Sequence, residues 1–258
     1  MPAPPDGRAP DRIAAWQDRV MTEQRGDGRR HAAEEETRAW AELVETARRS
    51  VADGLVVGTS GNVSVRVGET VLVTPSGVPY DRLTPDDVTG VDLAGRQVLG
   101  SLVPTSELPM HLAVYRTTAA RAVVHTHAVH ATAVSTLVDD LPLIHYMAAA
   151  LGGPVRVAGY ATYGTDRLAE SMLRALDGRT GCLLQNHGTI THGATLAQAY
   201  DRTAQLEWMC RVWLTASSVP GLTPHLLTHE QLAEATERLS GYGQQTSSPS
   251  GGPPSGRV

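Results

Sequence analysis

The stretch AVVHTHAVHATAVSTL, residues 122–137, carries the pattern on which the fold prediction rests. Ala122–His127 is short and largely apolar, which is typical of a buried strand. Ala128–Leu137 has the composition of a helix, so a helix is predicted directly after the strand. A strand that passes straight into a helix indicates a sheet with helices packed against it.

Strands are predicted on both sides of this unit. Val63–Val67 and Thr70–Thr74 alternate between apolar and polar residues like two paired strands. Gly181–Gln185 is a second buried strand candidate, and Gly188–Thr191 begins a turn into another. Several of these strands are joined by links that are too short for a helical crossover. At least part of the sheet is therefore expected to be antiparallel.

Helices are predicted before and after the strands, so an α/β layered fold is expected. Residues 33–52 place apolar side chains at spacings of three and four, as an amphipathic helix does. A second helix is expected to be capped by Ser106 and to run through His111 to Arg116. Two further helices are predicted near the C-terminus, over Leu196–Ser217 and Glu230–Leu239.

The 258 residues suit one large domain or two small ones. Residues 1–30 are rich in Pro, Gly, Arg and Asp and are expected to be a mobile leader, with a candidate short helix over Asp11–Val20. An ordered domain is predicted over residues 31–243. Residues 244–258, QQTSSPSGGPPSGRV, are too poor in apolar residues to bury themselves and are expected to be a disordered tail.

Bulk properties exclude several classes of protein. A net charge of -5 argues against a nucleic-acid binder, which normally has a basic face. No apolar run approaches the length of a membrane span, and no apolar segment of a signal peptide is present near the N-terminus. Cys182 and Cys210 match no metal or redox spacing and are expected to be buried thiols. A cytoplasmic location is therefore expected.

Three histidines form a candidate metal site. His125 and His127 are two residues apart on a predicted strand, so their imidazoles point to the same face. His187 lies in QNHGT, at the end of another predicted strand. Three imidazoles with one open position are typical of a catalytic zinc site. An HxH pair alone is also common in cores and on surfaces, and His130 is interpreted as structural.

Small and hydroxyl-bearing residues occur in three loops: GTSGN at 58–62, TPSG at 74–77 and PTSE at 104–107. Backbone N–H groups beside glycines or at a helix start can bind tetrahedral oxyanions. Each loop alone is also typical of an ordinary turn, whereas the three together indicate a shared phosphate pocket. Glu107 suits the first turn of a helix, and its second interpretation is a general base.

Taken together, these motifs resemble the class II aldolase/adducin family. They arrive in the order and with the spacing of that family, and the resemblance covers roughly residues 33–243. It implies a three-layer α/β/α fold with a central, largely antiparallel sheet. The matching stretches are GTSGNVSVR (58–66), TPSGVPYDRLTPDDV (74–88), PTSELPMHLAVYR (104–116), AVVHTHAVHATAVSTL (122–137), LPLIHYMAAALGG (141–153), YATYGT (160–165) and LLQNHGTI (183–190).

The resemblance assigns roles to particular residues. His125, His127 and His187 match zinc ligands of the family. Glu107 matches its catalytic acid/base, which also touches the metal when substrate is absent. The positions that match the surroundings of the substrate phosphate are Thr59, Gly61, Asn62, Ser76, Gly77, Thr105 and Ser106.

Two tyrosines complete the implied catalytic set. Tyr146 matches a tyrosine that reaches the site of a neighbouring subunit, and Tyr242 matches one on a mobile C-terminal segment. Tyr163 stands where a close relative has phenylalanine, which leaves the preferred aldehyde open. Asn186 stands where relatives often carry another histidine. The family is typically a homotetramer with active sites between subunits.

The resemblance implies a zinc-dependent aldolase, with Mn²⁺ or Co²⁺ as other metals. It would cleave a ketose 1-phosphate, either L-fuculose 1-phosphate or a related 5-deoxypentulose 1-phosphate, to dihydroxyacetone phosphate and a short aldehyde. Epimerase, dehydratase and decarboxylase activities of the same family are alternatives. A zinc hydratase or hydrolase and a non-catalytic adducin-like module are the alternatives outside this chemistry.

Overall fold

The computed structural model describes residues 12–240, with side chains described for residue 31 and for residues 33–239. The predicted tail, residues 244–258, and Tyr242 lie outside the described residues. Helix α1 begins at Arg12 and therefore includes part of the predicted leader. The expected domain bounds stay a prediction. Within the described residues, no helix is both long enough and apolar enough to cross a membrane.

An eight-stranded sheet forms the centre of the described chain, in the order β4-β3-β2-β1-β5-β8-β7-β6. Its neighbouring strands pair antiparallel, and only β6 and β7 among the described strands pair parallel. The predicted, largely antiparallel sheet is thus confirmed. The strands are β1 (Asn62–Val67), β2 (Thr70–Val73), β3 (Gly90–Asp92), β4 (Gln97–Leu99), β5 (Ala122–Thr126), β6 (Val157–Ala158), β7 (Gly181–Leu184) and β8 (Gly188–Gly193).

Helices cover both faces of this sheet, which confirms the three-layer α/β/α architecture. On one face, α1, α3, α5 and α6 enclose one apolar core. On the other face, α2 and α4 pack together over a second core. The helices are α1 (Arg12–Ala52), α2 (Leu108–Thr117), α3 (Val129–Ser135), α4 (Asp166–Leu176), α5 (Leu196–Ser217) and α6 (His229–Ser240).

Several details differ from the sequence predictions. Helix α2 has Glu107 rather than Ser106 at its N-cap, and no side chain caps it. Helix α4 was not predicted, although Thr165 caps it by accepting a hydrogen bond from Leu168 N. The three short strands β3, β4 and β6 were also missed, because two or three residues show no period that distinguishes a strand from a loop.

Strand β5 divides its side chains between the two cores. Ala122 and Val124 enter the α1/α5 core, whereas Val123 enters the α2/α4 core. This alternation places His125 on the same side as Val123, facing α2. Strand β1 pairs with β5 and sets Asn62 opposite His125. Because both strands are buried, their register fixes which polar groups meet beneath α2.

Two glycines allow loops to approach β5 closely. A Cβ atom at Gly61, whose φ is +84°, would lie 2.8 Å from the carbonyl oxygen of His125. A Cβ atom at Gly188 would lie 2.2 Å from the carbonyl oxygen of Thr126. Only glycine fits at such distances without a backbone shift. Both the loop before β1 and the turn before β8 are thereby held against the end of β5.

Candidate active site

Four side chains from three segments converge at the end of β5. Their ligand atoms, one from each of Glu107, His125, His127 and His187, all lie within 4.8 Å of one another. Glu107 Oε2 is 2.8 Å from His125 Nε2, and Glu107 Oε1 is 3.1 Å from His187 Nε2. The three imidazole rings stand almost perpendicular to one another, with centroids 4.8–4.9 Å apart. The structure therefore brings together the predicted metal ligands and Glu107.

Local structure explains how each member arrives there. His125 lies in β5 and His127 just after it, so their two-residue spacing points both rings to one face. His187 lies in the short link between β7 and β8, where Asn186 adopts a left-handed φ of 55°. Asparagine tolerates this conformation better than most residues. Glu107 occupies the N-cap of α2.

The histidine rings present nitrogen lone pairs to the centre of the cluster. His125 Nδ1 lies 2.7 Å from the carbonyl oxygen of Thr189, an acceptor, so Nδ1 carries the proton and Nε2 does not. His125 Nε2 is 3.0 Å from His127 Nε2. Burial lowers the pKa of His127 to about 4, and repulsion from His125 and His187 adds to this effect. Neutral imidazoles of this kind are metal ligands.

Glu107 is a buried carboxylate at the centre of the site. Burial raises the pKa of its carboxyl group, but the neighbouring imidazoles of His125 and His187 outweigh burial, so that the net pKa lies well below its usual range. Asn62 Nδ2 donates to Glu107 Oε2 at 3.0 Å. Glu107 Oε1 is buried without a well-formed hydrogen bond, although His187 Nε2 is near it.

These features fit a divalent cation. Three imidazole nitrogens and one carboxylate form a donor set that suits zinc and similar first-row metals. A cation would also complete the coordination of the orphaned Glu107 Oε1 and separate the facing nitrogens of His125 and His127. The carbonyl of Thr189 already orients the His125 ring for this purpose, as outer partners of metal-binding histidines do.

A cavity of about 360 Å³ opens beside the cluster. Its walls include the two loops around residues 75 and 104, which a short β-bridge between Pro75 and Pro104 joins. Ser76 N donates to the Val103 carbonyl oxygen at 2.9 Å. All seven residues that the resemblance places around a phosphate line this cavity: Thr59, Gly61, Asn62, Ser76, Gly77, Thr105 and Ser106.

Three exposed tyrosines differ in their position relative to the cavity. Tyr160 and Tyr163 line the cavity and are largely exposed. Tyr146 does not line the cavity and lies on the surface, 48% exposed, with its ring centroid 4.3 Å from that of His145. The role of Tyr146 at a neighbouring subunit's site therefore stays a prediction, as does that of Tyr242, which lies outside the described residues. His130 is held by Glu207, whose carboxylate accepts from its backbone N and from Nδ1.

Sequence reasoning missed one neighbour of the cluster, His111. This residue is fully buried in α2, and its Nε2 lies 2.5 Å from Asn62 Oδ1. A signal was available, because Glu107 and His111 are four residues apart and must share one face of a helix. Asn62 was assigned only to the phosphate pocket, whereas its amide contacts Glu107 directly.

Comparison with known proteins adds independent information. The model of the class II aldolase and adducin N-terminal domain matches residues 41–214. L-fuculose phosphate aldolase of Escherichia coli K12 is 40% identical over 204 residues, which cover 78% of this chain and 94% of that protein. 5-deoxy-D-ribulose 1-phosphate aldolase of Bacillus thuringiensis is 33% identical over 207 residues, covering 79% and 96% respectively.

Solved structures agree with these sequence matches. One L-fuculose 1-phosphate aldolase superposes with a TM-score of 0.75 at 34% identity, covering 78% of this chain and 96% of the other. The L-fuculose-1-phosphate aldolase of Thermus thermophilus has a TM-score of 0.65 at 34% identity, with coverage of 73% and 99%. This chain belongs to the class II aldolase and adducin family.

Proposed function

We propose that this protein is a metal-dependent aldolase that reversibly cleaves a ketose 1-phosphate to dihydroxyacetone phosphate and a short aldehyde. The observation that carries the proposal is the convergence of Glu107 with three imidazoles beside a cavity lined by hydroxyl- and glycine-rich loops. A non-catalytic interaction module has no need of a buried carboxylate among three histidines. The family membership and the names of the similar proteins support the same chemistry.

His125, His127 and His187 would hold the metal, which we propose is Zn²⁺, with Mn²⁺ or Co²⁺ able to replace it. When bound, the cation acts as a Lewis acid that stabilises the negative charge developing on the substrate during carbon–carbon cleavage. Three neutral histidines leave the cation its full positive charge for this purpose. They also leave a position open for substrate oxygens.

Glu107 is the group in the cavity that moves a proton at carbon. In the condensation direction its ionised carboxylate takes a proton from the hydroxyl-bearing carbon of dihydroxyacetone phosphate. In the cleavage direction the protonated carboxyl returns that proton to the same carbon, after the bond to the aldehyde carbon has broken. The aldehyde oxygen loses or gains its proton separately, and Tyr146 of a neighbouring subunit is our candidate for that step.

The three loops are proposed to bind the phosphate at the non-reacting end. Ser76 and Gly77 lie on one wall of the cavity, and Thr105 and Ser106 lie on the adjoining wall next to Glu107. Backbone N–H groups and hydroxyls can hold a phosphate without a nearby lysine. Anchoring that end fixes the reacting carbons relative to Glu107, which lowers the entropic cost of the reaction.

The aldehyde portion is proposed to be small. L-fuculose 1-phosphate and 5-deoxypentulose 1-phosphates are the candidate substrates, since proteins named for such activities are 40% and 33% identical to this chain. Tyr163 lines the open side of the cavity and is 66% exposed. Its hydroxyl would favour an aldehyde with a polar substituent over a purely apolar one.

We also propose a homotetramer in which neighbouring subunits complete each site. Tyr146 and His145 stack on the surface, and the His145 ring lies 4.7 Å from that of Trp208. Tyr146 and Trp208 are both substantially exposed in the isolated chain. Exposed aromatic clusters of this kind mark protein–protein contacts. A cytoplasmic location is proposed because Cys182 and Cys210 are free, buried thiols.

The activity is tested by following dihydroxyacetone phosphate with a coupled assay. L-fuculose 1-phosphate and a panel of 5-substituted pentulose 1-phosphates serve as substrates, with and without a chelator. We expect release from at least one substrate, its loss with chelator and its return when Zn²⁺ is added back. A metal-loaded protein that releases nothing from any of them would contradict the aldolase and favour an epimerase, dehydratase or decarboxylase.

The ligand assignment predicts the effect of removing one imidazole. His127→Ala should lower both bound metal and turnover, because two histidines and one carboxylate form a weaker site. Elemental analysis of the purified variant measures this directly. His225→Ala removes an exposed histidine far along the chain and should keep the wild-type metal content. Equal metal content in the two variants would show that His127 is not a ligand.

The proton-transfer role predicts a different pattern for Glu107. Glu107→Gln keeps the shape of the side chain and its acceptor for Asn62, so folding and bound metal should be retained. Turnover should fall by about 10²–10⁴, the usual contribution of a positioned acid/base. Glu69→Gln, on the surface, is the matched control and should be fully active. Wild-type turnover by Glu107→Gln would rule out the assignment.

A further inference from the structure

A line of buried polar side chains leads away from Glu107. Glu107, His111 and Tyr115 follow one another at four-residue intervals and thus share a face of α2. Asn62 and Ser64, two residues apart on β1, share the facing side of the sheet. Asn62 lies between Glu107 and His111, and Ser64 lies between His111 and Tyr115.

The contacts along this line are short. Glu107 Oε2 accepts from Asn62 Nδ2 at 3.0 Å, and Asn62 Oδ1 is 2.5 Å from His111 Nε2. His111 Nδ1 is 2.6 Å from Ser64 Oγ. Ser64 Oγ is in turn 2.7 Å from the Tyr115 hydroxyl. Both ring nitrogens of His111 are therefore used.

The direction of every hydrogen bond follows from the contact between Asn62 and Glu107. Asn62 Nδ2 donates to Glu107 Oε2, so the amide oxygen of Asn62 faces His111. That oxygen needs a donor, so His111 carries its proton on Nε2 and accepts from Ser64 at Nδ1. Ser64 has one proton, which it gives to His111, and its oxygen accepts from Tyr115. The five groups form one ordered chain that ends at the carboxylate.

This chain of hydrogen bonds lies in the protein interior, where burying polar groups costs free energy. His111 and Ser64 are 0% exposed and Tyr115 is 2% exposed. They lie beside the apolar core that α2 and α4 cover. Burial lowers the pKa of His111 to about 3, with repulsion from His125 adding and Glu107 opposing, so the ring is neutral near pH 7. Apolar residues would fill this layer without the desolvation cost. Asn62 lines the cavity, whereas His111, Ser64 and Tyr115 do not.

We propose that His111 is a positioning residue for the reaction, which holds the Glu107 carboxylate in its working orientation through Asn62. This inference rests on the proposed function. Without a donor from His111, the Asn62 amide is free to rotate and present its oxygen to Glu107, and the carboxylate loses the hydrogen bond from Asn62 and the orientation that this bond fixes. Asn62 thus serves the proton-transfer group as well as lining the cavity.

The proposal is tested with variants that distinguish the hydrogen bond donated by His111 from the contribution of His111 to the packing of α2. His111→Leu removes the donor but fills the space, and it should lower kcat by about 10–100-fold while KM and bound metal stay nearly unchanged. His111→Gln carries an amide that can donate to Asn62 and should recover part of kcat. Val114→Ala, a buried apolar position on the same helix, is the matched control. It should reduce thermal stability and leave kcat nearly unchanged.

Three outcomes of these measurements would overturn the proposal. The first is wild-type kcat in His111→Leu. The second is a loss of kcat in Val114→Ala that equals the loss in His111→Leu, because packing alone would then explain both. The third is a loss of bound metal in His111→Leu, which would mean that the whole cluster had collapsed rather than that one carboxylate had moved.

A spectroscopic measurement tests the inferred directions of these hydrogen bonds without relying on activity. NMR of the metal-loaded protein labelled with ¹⁵N-histidine should show a neutral His111 with its proton on Nε2 and a bare Nδ1. The opposite tautomer would overturn the inferred direction of the hydrogen bonds. If wild-type protein releases no dihydroxyacetone phosphate while His111 has the expected tautomer, the proposed function fails and the chain of contacts stands.

Discussion

A buried negative charge surrounded by three imidazoles is the constraint on which the rest of the site depends. Taking the Glu107 carboxylate out of water is unfavourable unless cations or donors replace the lost solvent. The amide of Asn62 donates to this carboxylate, and the Nε2 atoms of His125 and His187 lie beside it, where they would share a bound metal cation with it. These partners come from β5, the β7–β8 link and β1, so the carboxylate can be satisfied only when the sheet is correctly assembled.

The same strand alternation that builds the core also builds the site. Alternate residues of β5 enter the two apolar cores up to Val124, and His125 then continues the face below α2. Helix α2 lies over this face of the sheet and begins near His125, so that its N-cap residue, Glu107, contacts the His125 ring. A slip of one residue in β1 or β5 would turn Asn62 or His125 to the wrong side. The register of β1 and β5 therefore determines where Asn62 and His125 lie in the site.

Those parts of the fold with a strong period could be predicted from the sequence. Helix α5 was predicted with its observed bounds, Leu196–Ser217, and β5 was placed to within one residue. The two-residue spacing of His125 and His127 was enough to predict that their rings converge. Strand β6 has two residues and could not be recognised, since a pair of residues has no detectable period.

What the sequence could not provide was the contact between separate segments. That His187 joins the pair on β5 depends on how β8 pairs with β5, which no local pattern specifies. The buried partnership of Asn62 with Glu107 and His111 was missed for the same reason, since these residues are 45 and 49 positions apart. The position of His187 at the end of a predicted strand made it a candidate for the metal site, and the family resemblance agreed, whereas neither indicated the partnership of Asn62 with Glu107 and His111.

The most direct test of the account is an anomalous diffraction map. Data would be collected at the absorption edge of whichever metal elemental analysis finds in the active protein. We expect one strong peak within bonding distance of Nε2 of His125, His127 and His187, which for zinc is about 2.0–2.1 Å from the metal to each nitrogen. A fully active protein with no peak at this cluster, or with its metal bound elsewhere, would contradict the central claim that these three histidines hold the metal beside Glu107.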